Sequence, residues 1–293
     1  MRELHWFLVF TSLLLITVES KTMCAQTTRG IMPEAYFSFE VISDPHLSPD
    51  GKDVAYVLTT VDQKRNRRES SVWLLTTDGS AAPRRLSAEG FNSTYPRWSP
   101  DGKTLAILSA RNSDSAAREQ SKEQIYLLPT VRSGEGLVLT TLKNGVQSYQ
   151  WSPDGTRIVV VSLSGPRDGI AEADRKSDVR HYSHIIYKFN DTGWDDGKRQ
   201  HLWVVNAQDR EINQITDGQD WNDTDPQWAP DSTRIAFVSD RTGNAYDTTR
   251  NNTHGWGVPA WGGPVTKCPG PRSADTTPAW RPAGRRQPSA RRR

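Results

Sequence analysis

Hydrolysis of a peptide bond by serine needs a nucleophile on a strained strand-to-helix turn, usually written G-x-S-x-G, followed by Asp and His partners. No serine in the 293-residue chain has glycine at both −2 and +2. No alternation of strands and helices of the βαβ kind surrounds any of them. No catalytic residue is expected. The six histidines offer little metal chemistry. His181 and His184 lie three apart, so on a strand they face opposite ways. His201 falls on the expected partner strand of a polar hairpin, in which Asp178–Lys188 pairs with the strand through Val205 across a turn at Asn190–Gly193. Asp220, Asp223 and Asp225 cluster oxygen donors of the kind calcium takes, but a polar loop between strands has the same composition. No metal site and no cofactor are expected.

Charge and cysteine use exclude further classes. The chain is 35% hydrophobic and 24% charged, as in a globular protein. Its mean hydropathy of −0.69 is polar, as expected for many short strands joined by wet loops. Net charge is +3, yet six arginines fall within residues 281–293, which hold no acid. Taking those six from 37 basic residues leaves 31 against 34 acidic ones, so the body is mildly acidic. No nucleic-acid partner is expected. Arg2 precedes the apolar run Trp6–Val18, 13 residues against about 20 for a bilayer span. Residues 1–25 read as a secretory signal peptide, cleaved after Ser20 or Ala25, with no stable membrane span afterwards. A secreted or periplasmic location follows. Lys21 and Met23 are wrong for a lipobox ahead of Cys24, which leaves Cys268 as the mature cysteine and no disulfide framework.

Candidate side chains need elements to hold them, and a repeat supplies these. "LSPDGKDVAYV" starts at Leu47, "WSPDGKTLAIL" at Trp98, "WSPDGTRIVVV" at Trp151, "WAPDSTRIAFV" at Trp228 and "WRPAGRR" at Trp280. The motif prolines Pro49, Pro100, Pro153, Pro230 and Pro282 are spaced by 51, 53, 77 and 52 residues. A second landmark, Trp73, Tyr126, Trp203 or Trp256, follows its proline by 24, 26, 50 and 26 residues. The long third repeat therefore carries an insertion, near 163–199. A third landmark, Leu86, Leu139, Ile215 or Cys268, follows 12 or 13 residues later.

Each repeat reads as four short strands. In the second these are Thr94–Trp98, Leu105–Ser109, Gln124–Leu128 and Gly136–Thr140. Pro100-Asp101-Gly102 makes the first turn: proline presets φ, aspartate bonds the backbone ahead of it, and glycine tolerates positive φ. Pro49, Asp50 and Gly51, then Pro153, Asp154 and Gly155, repeat it; Pro230 and Asp231 lead into Ser232, and Pro282 is followed by alanine in the aspartate slot. Strands such as "LAIL" and "RIVVVS" are apolar on both faces, so each must be covered twice. Radially stacked sheets do that. The expected fold is all-β: an incomplete β-propeller of four-stranded blades, with four blades and the start of a fifth. Seven of the eleven tryptophans, among them Trp98, Trp151, Trp228 and Trp280, fill two repeat slots and read as framework.

The repeated "W-S-P-D-G" motif resembles the TolB-type, WD40-like propeller repeat, which also builds the N-terminal propeller of prolyl oligopeptidase-family serine peptidases. The insertion "SDVRHYSHIIYKFNDTGWDDGKRQHLWVVN" (177–206) resembles the acylaminoacyl-peptidase or dipeptidyl-peptidase-like branch. "DWNDTDPQWAPDSTRIAFVSDRTGN" (220–244) continues the likeness. In that family the resemblance implies a propeller that screens entry, admitting peptides to an α/β-hydrolase domain. Residues 38–280 are read as the propeller, without its hydrolase, and 281–293 as a basic, disordered tail. "ADTTPAWRPAGRR" opens a fifth blade, but "QPSARRR" does not continue it as a strand. The expected partners are peptides or a hydrolase domain, and a further copy meeting open blade edges. A stand-alone TolB-like periplasmic propeller that binds a protein or peptide is the alternative.

Overall fold

The computed structural model describes residues 30–111, 122–130, 136–166, 168, 188–189, 193–194, 196–241 and 254–268. Residues 1–29, where the signal peptide was expected, most of the insertion (with His181 and His184), Trp280, Pro282 and the arginine-rich end lie outside the described residues. The chain divides into two compact units, Met1–Ser38 and Phe39–Arg293. The first holds a 3-10 helix, Pro33–Ser38. Among the described residues all strands lie in the second.

Those strands make four four-stranded antiparallel sheets among the described residues. Blade I runs β1 (Val41–Leu47), β2 (Asp53–Asp62), β3 (Arg67–Thr76) and β4 (Arg84–Arg85). Blade II runs β5 (Ser93–Trp98), β6 (Thr104–Ser109), β7 (Gln124–Pro129) and β8 (Leu137–Val138). Blade III starts with β9 (Ser148–Trp151) and β10 (Arg157–Ser164). A small ribbon of β11 (Lys188–Phe189) and β12 (Gly193–Trp194) precedes β13 (Arg199–Asn206) and β14 (Ile212–Gln214). Blade IV runs β15 (Asp223–Trp228), β16 (Arg234–Ser239), β17 (His254–Pro259) and β18 (Thr266–Lys267). The expected strand sets agree with these to within a few residues. The fold is an incomplete β-propeller.

One expected pairing is corrected. β13 pairs with β10, from Arg157↔Asn206 to Ser164↔Arg199, not with residues 178–188. β10 offers a continuous apolar partner, which a polar hairpin cannot match. Within the insertion, Lys188 pairs with Trp194 and Phe189 with Gly193.

Burial follows the two-faced logic of the central strands. β6 and β16 are buried on both faces over five consecutive residues, and β10 likewise. Alternate residues of each strand face opposite neighbours. Ala55, Val57, Val72 and Leu74 of blade I pack on Leu105, Ile107, Tyr126 and Leu128 of blade II. Ala106, Leu108 and Ile125 of blade II pack on Ile158, Val160 and Val205 of blade III. Val159, Val161, Leu202 and Val204 of blade III pack on Ile235, Phe237 and Val258 of blade IV. Each blade thus has a forward face, with small aliphatics on its second strand, and a bulkier back face. In blade I alone burial alternates along β2: Ala55 and Val57 are buried, while Val54, Tyr56 and Leu58 are half-buried.

Candidate functional site

The first strands β1, β5, β9 and β15 lie beside one another from blade to blade. They form the inner rim, where side chains from four blades meet. A backbone device aims them. β1, β5 and β15 each shift register against their partner, between Ser43 and His46, Thr94 and Arg97, and Thr224 and Gln227. At each bulge one non-glycine residue takes positive φ: Asp44 at 50°, Tyr95 at 56° and Asp225 at 50°. Each precedes a proline, in the series Ser43-Asp44-Pro45-His46-Leu47, Thr94-Tyr95-Pro96-Arg97-Trp98 and Thr224-Asp225-Pro226-Gln227-Trp228. A bulge adds a residue and re-aims the side chains beside it. Asp bears this conformation with little cost, whereas Tyr95 is strained. Its ring lies 3.7 Å under the Arg97 guanidinium, and its carbonyl accepts the Tyr149 hydroxyl at 2.7 Å. β9, with Ser148 in that slot, has no register shift.

The rim is polar and bonded across blades. Arg97 Nη1 donates to both Asp44 oxygens, at 3.0 and 2.9 Å, and His46 Nε2 lies 3.0 Å from Asp44 Oδ1. Gln150 Nε2 donates to Gln227 Oε1 at 3.2 Å. Beneath this layer runs a repeated clamp. Trp98 Nε1 donates to the His46 carbonyl at 3.0 Å, Trp151 Nε1 to the Arg97 carbonyl at 3.2 Å, and Trp228 Nε1 to the Gln150 carbonyl at 3.1 Å. Each acceptor precedes the motif's first residue in the previous blade. Leu47 occupies that slot in blade I and has no donor to offer backwards.

The remaining signature residues sit at the turns between first and second strands. Ser99 Oγ donates to Asp101 at 2.6 Å and accepts the Thr104 amide at 3.1 Å, and Gly102 N closes the turn on the Ser99 carbonyl at 2.9 Å. Ser48 with Asp50 and Ser152 with Asp154 repeat the arrangement. The serine hydroxyl and the Lys103 amide hold Asp101 below the usual carboxylate range. Gly51, Gly102 and Gly155 have φ of 74°, 71° and 71°. Neighbouring turns stack, so that a Cβ on Gly102 would meet Pro49 and one on Gly155 would meet Pro100. Blade IV differs, with Ala229 in the serine slot and Ser232 in the glycine slot at φ 58°. The buried Ser232 accepts the Asp154 amide on its hydroxyl at 3.1 Å and Arg157 on its carbonyl at 2.7 Å. Pro153, Pro230 and Asp231 lie in these same turns.

A buried cluster, missed from sequence, joins blades III and IV. Asp223 is fully buried; Arg241 donates to both its oxygens at 3.0–3.1 Å, and His201 Nδ1 lies 3.2 Å away. His201 Nε2 lies 2.8 Å from the Gly218 carbonyl. Burial pushes the Asp223 carboxyl up, but bonds from His201 and Ser239 and the charge of Arg241 outweigh it and hold it below its usual range. Of the three aspartates weighed for calcium, Asp223 is thus committed to an arginine. No group of three metal-ligating side chains occurs among the described residues. Beside His201 opens a cavity of about 500 Å³, with Trp203 and Asn144 on its wall. Neither His46 nor His201 bonds a serine hydroxyl among the described residues. The rim presents amide, carboxylate and guanidinium groups, which suit the polar backbone of an extended chain.

Fold and rim define a β-propeller of the kind that peptidases carry. The model of Gmad1, the lipoprotein LpqB beta-propeller domain, matches residues 26–176, and the chain belongs to that family. An uncharacterized peptidase, YuxL, of Bacillus subtilis is 31% identical over 207 residues, covering 69% of this chain and 30% of its own length. Dipeptidyl-peptidase 5 of Porphyromonas gingivalis is 26% identical over 254 residues, covering 79% of this chain and 34% of its own length. The chain thus spans about a third of these relatives. Among solved structures, Pyrococcus horikoshii acylaminoacyl peptidase superposes with a TM-score of 0.61 at 19% identity, over 79% of this chain and 33% of its own. The beta-propeller domain of the Trilobed protease from Pyrococcus furiosus does so with 0.51 at 18% identity, over 80% and 58%. Those two likenesses concern the fold. No helix among the described residues is long and apolar enough to cross a membrane.

Proposed function

We propose that this chain is the non-catalytic, substrate-gating propeller of a secreted prolyl oligopeptidase-family peptidase. Hydrolysis belongs to an α/β-hydrolase domain, and the propeller admits extended peptides past its inner rim while holding back folded proteins. The observation that carries the reading is the alignment of 69% of the chain with only 30% of a peptidase at 31% identity. The polar rim supports it: Arg97, Asp44, Gln150 and Gln227 are side chains that exchange hydrogen bonds with a passing backbone. A second reading, a stand-alone binding propeller, is favoured by the family description, which is that of a lipoprotein's propeller. The test is made on the purified chain with a fluorophosphonate probe and with acyl-peptide and dipeptidyl chromogenic substrates. The expected result is neither labelling nor turnover, because no serine of the sequence has glycine at both −2 and +2. Stoichiometric labelling of one serine overturns it. Fluorescence anisotropy with short labelled peptides separates the two readings: weak, sequence-tolerant binding fits a gate, and tight binding of one sequence fits a dedicated binder.

A further inference from the structure

The repeat brings two positions of every blade to the inner rim. One is the bulge slot, held by Asp44, Tyr95, Ser148 and Asp225. The other is the residue before the motif, held by His46, Arg97, Gln150 and Gln227. Among them Arg97 alone carries a permanent positive charge. It is fixed along one edge and from beneath. Its Nη1 donates to both Asp44 oxygens, and to the Pro96 carbonyl at 2.7 Å. The Tyr95 ring centre lies 3.7 Å from the guanidinium carbon. Tyr95 packs edge-on against the buried Tyr149, with ring centres 5.3 Å apart. Asp44 is held in turn by His46 Nε2 at 3.0 Å.

The other edge of the fork is uncommitted. Nε and Nη2 of Arg97 make no hydrogen bond among the described residues. Neither nitrogen is buried, and 22% of the side chain is exposed. Those two nitrogens form the edge that can take both oxygens of a carboxylate at once. The protein shows the fit elsewhere: Arg241 turns its Nε and Nη2 on the Asp223 carboxylate, at 3.0–3.3 Å. Bracing between blades does not by itself account for Tyr95. Aspartate fills the same slot in blades I and IV and bears positive φ at little cost, whereas tyrosine at 56° is strained. What tyrosine adds is the ring beneath Arg97, which fixes the direction of the open edge.

We propose that Arg97 is a carboxylate-binding position of the inner rim. Its Nε and Nη2 take the two oxygens of a carboxylate on a passing peptide, from the C-terminus or from an Asp or Glu side chain. The proposal rests on the peptide-gating reading and adds a selectivity to it: peptides that bring a carboxylate to the rim are retained there. Asp44 does not close the site, because it occupies Nη1 alone. It does offset the long-range charge of Arg97, so the preference comes from two directed hydrogen bonds. Lysine, a point charge without a fixed edge, cannot supply them. The rim carboxylate of blade IV, Asp225, is bonded instead to the Thr224 hydroxyl at 3.2 Å.

Fluorescence anisotropy on the full chain tests this with three labelled alanine pentapeptides. The first ends in a free carboxylate and the second in an amide. The third is the amide with its central alanine replaced by glutamate. The free-carboxylate and glutamate peptides are expected to bind roughly tenfold more tightly than the plain amide. Arg97→Gln and Arg97→Lys should each lose most of that difference and still bind the plain amide as the wild type does, with circular dichroism confirming retained β structure. Preference for only one of the two carboxylate peptides supports the site and names the source of the carboxylate. Equal binding of all three by the wild-type chain overturns the carboxylate site and leaves the gate reading standing; an Arg97 that only braces the blades gives that result, with lowered stability in the variants. A preference that survives in both variants also overturns it, since another cation then supplies the bonds. If no peptide binds at all, the carboxylate site and the peptide-gating reading fall together.

Discussion

Single side chains divide into those that hold blades together and those that merely fill a repeat slot, and tryptophan shows the difference. Trp151 donates its indole N–H across a blade junction, whereas the buried Trp203 and Trp256 nitrogens have no hydrogen-bond partner among the described residues. Trp151→Phe is expected to cost about 1 kcal/mol beyond the small change in packing, and Trp203→Phe close to nothing from hydrogen bonding. Urea unfolding of the two variants decides it; equal losses would remove the clamp as a distinct contribution. Asp223 governs a second effect. Its folded-state pKa lies below the unfolded value of about 3.9. The stabilisation it gives is therefore present above about pH 4 and lost as pH falls through the depressed value. Asp223→Asn is expected to cost about 3 kcal/mol or more at neutral pH, since Arg241 is left without its carboxylate. The variant should also show a flatter fall in stability with acid. A wild-type curve no steeper than the variant's would remove Asp223 as the titrating group.

At the scale of elements, the turn between first and second strands is the part most legible in the sequence, because its demands are local. Proline, aspartate and glycine each answer a backbone requirement within four residues, and the repeat announced all four turns. The inner-rim bulge was equally local, written as Asp44-Pro45, Tyr95-Pro96 and Asp225-Pro226, but it escaped notice since no rule ties such a dipeptide to positive φ. The Asp223, His201 and Arg241 cluster was not legible, because its members come from two blades and 40 residues of chain. The same distance explains the mistaken partner of β13: a polar hairpin is the nearest pairing in sequence, while β10 is the better one in space. The variant turn of blade IV gives the prediction proper to this scale. Gly155→Ala forces a Cβ into the left-handed region and should cost about 1–2 kcal/mol. Ser232 already bears that conformation and holds it through the Asp154 amide. Ser232→Ala should therefore cost about 1 kcal/mol by losing the bond. Ser232→Gly, which relieves the backbone as it loses the same bond, should come out near neutral. If Ser232→Ala and Ser232→Gly prove equally destabilising in chemical denaturation, the backbone at Ser232 is unstrained.

For the molecule as a whole, stability should vary along the repeat. In a stack of units each blade is held by its own folding and by the interfaces to its neighbours, so a blade with two neighbours is harder to open than one with a single neighbour. Blades II and III each have both faces packed, with Leu105 to Leu108 and Ile158 to Val161 almost wholly inaccessible to water. Among the described residues blade I has one fully packed face, built on Ala55 and Val57, while Val54, Tyr56 and Leu58 on the other are half-buried. Its second and third strands are the longest among the described residues, paired over ten residues from Asp53↔Thr76 to Asp62↔Arg67. Backbone pairing alone would therefore rank β2 among the most protected strands. Packing ranks it below β6 and β10, because an amide opens when the sheet loses its cover, and apolar burial on two faces contributes more than a longer ladder on one. Amide hydrogen exchange distinguishes the two accounts. The expected order is slowest exchange at Ile107 and Val160, and faster exchange at Tyr56 and Leu58. Protection at Tyr56 equal to that at Val160 would mean that blade I does not depend on a neighbour, and the rule that each blade needs both its faces covered would fail for this chain.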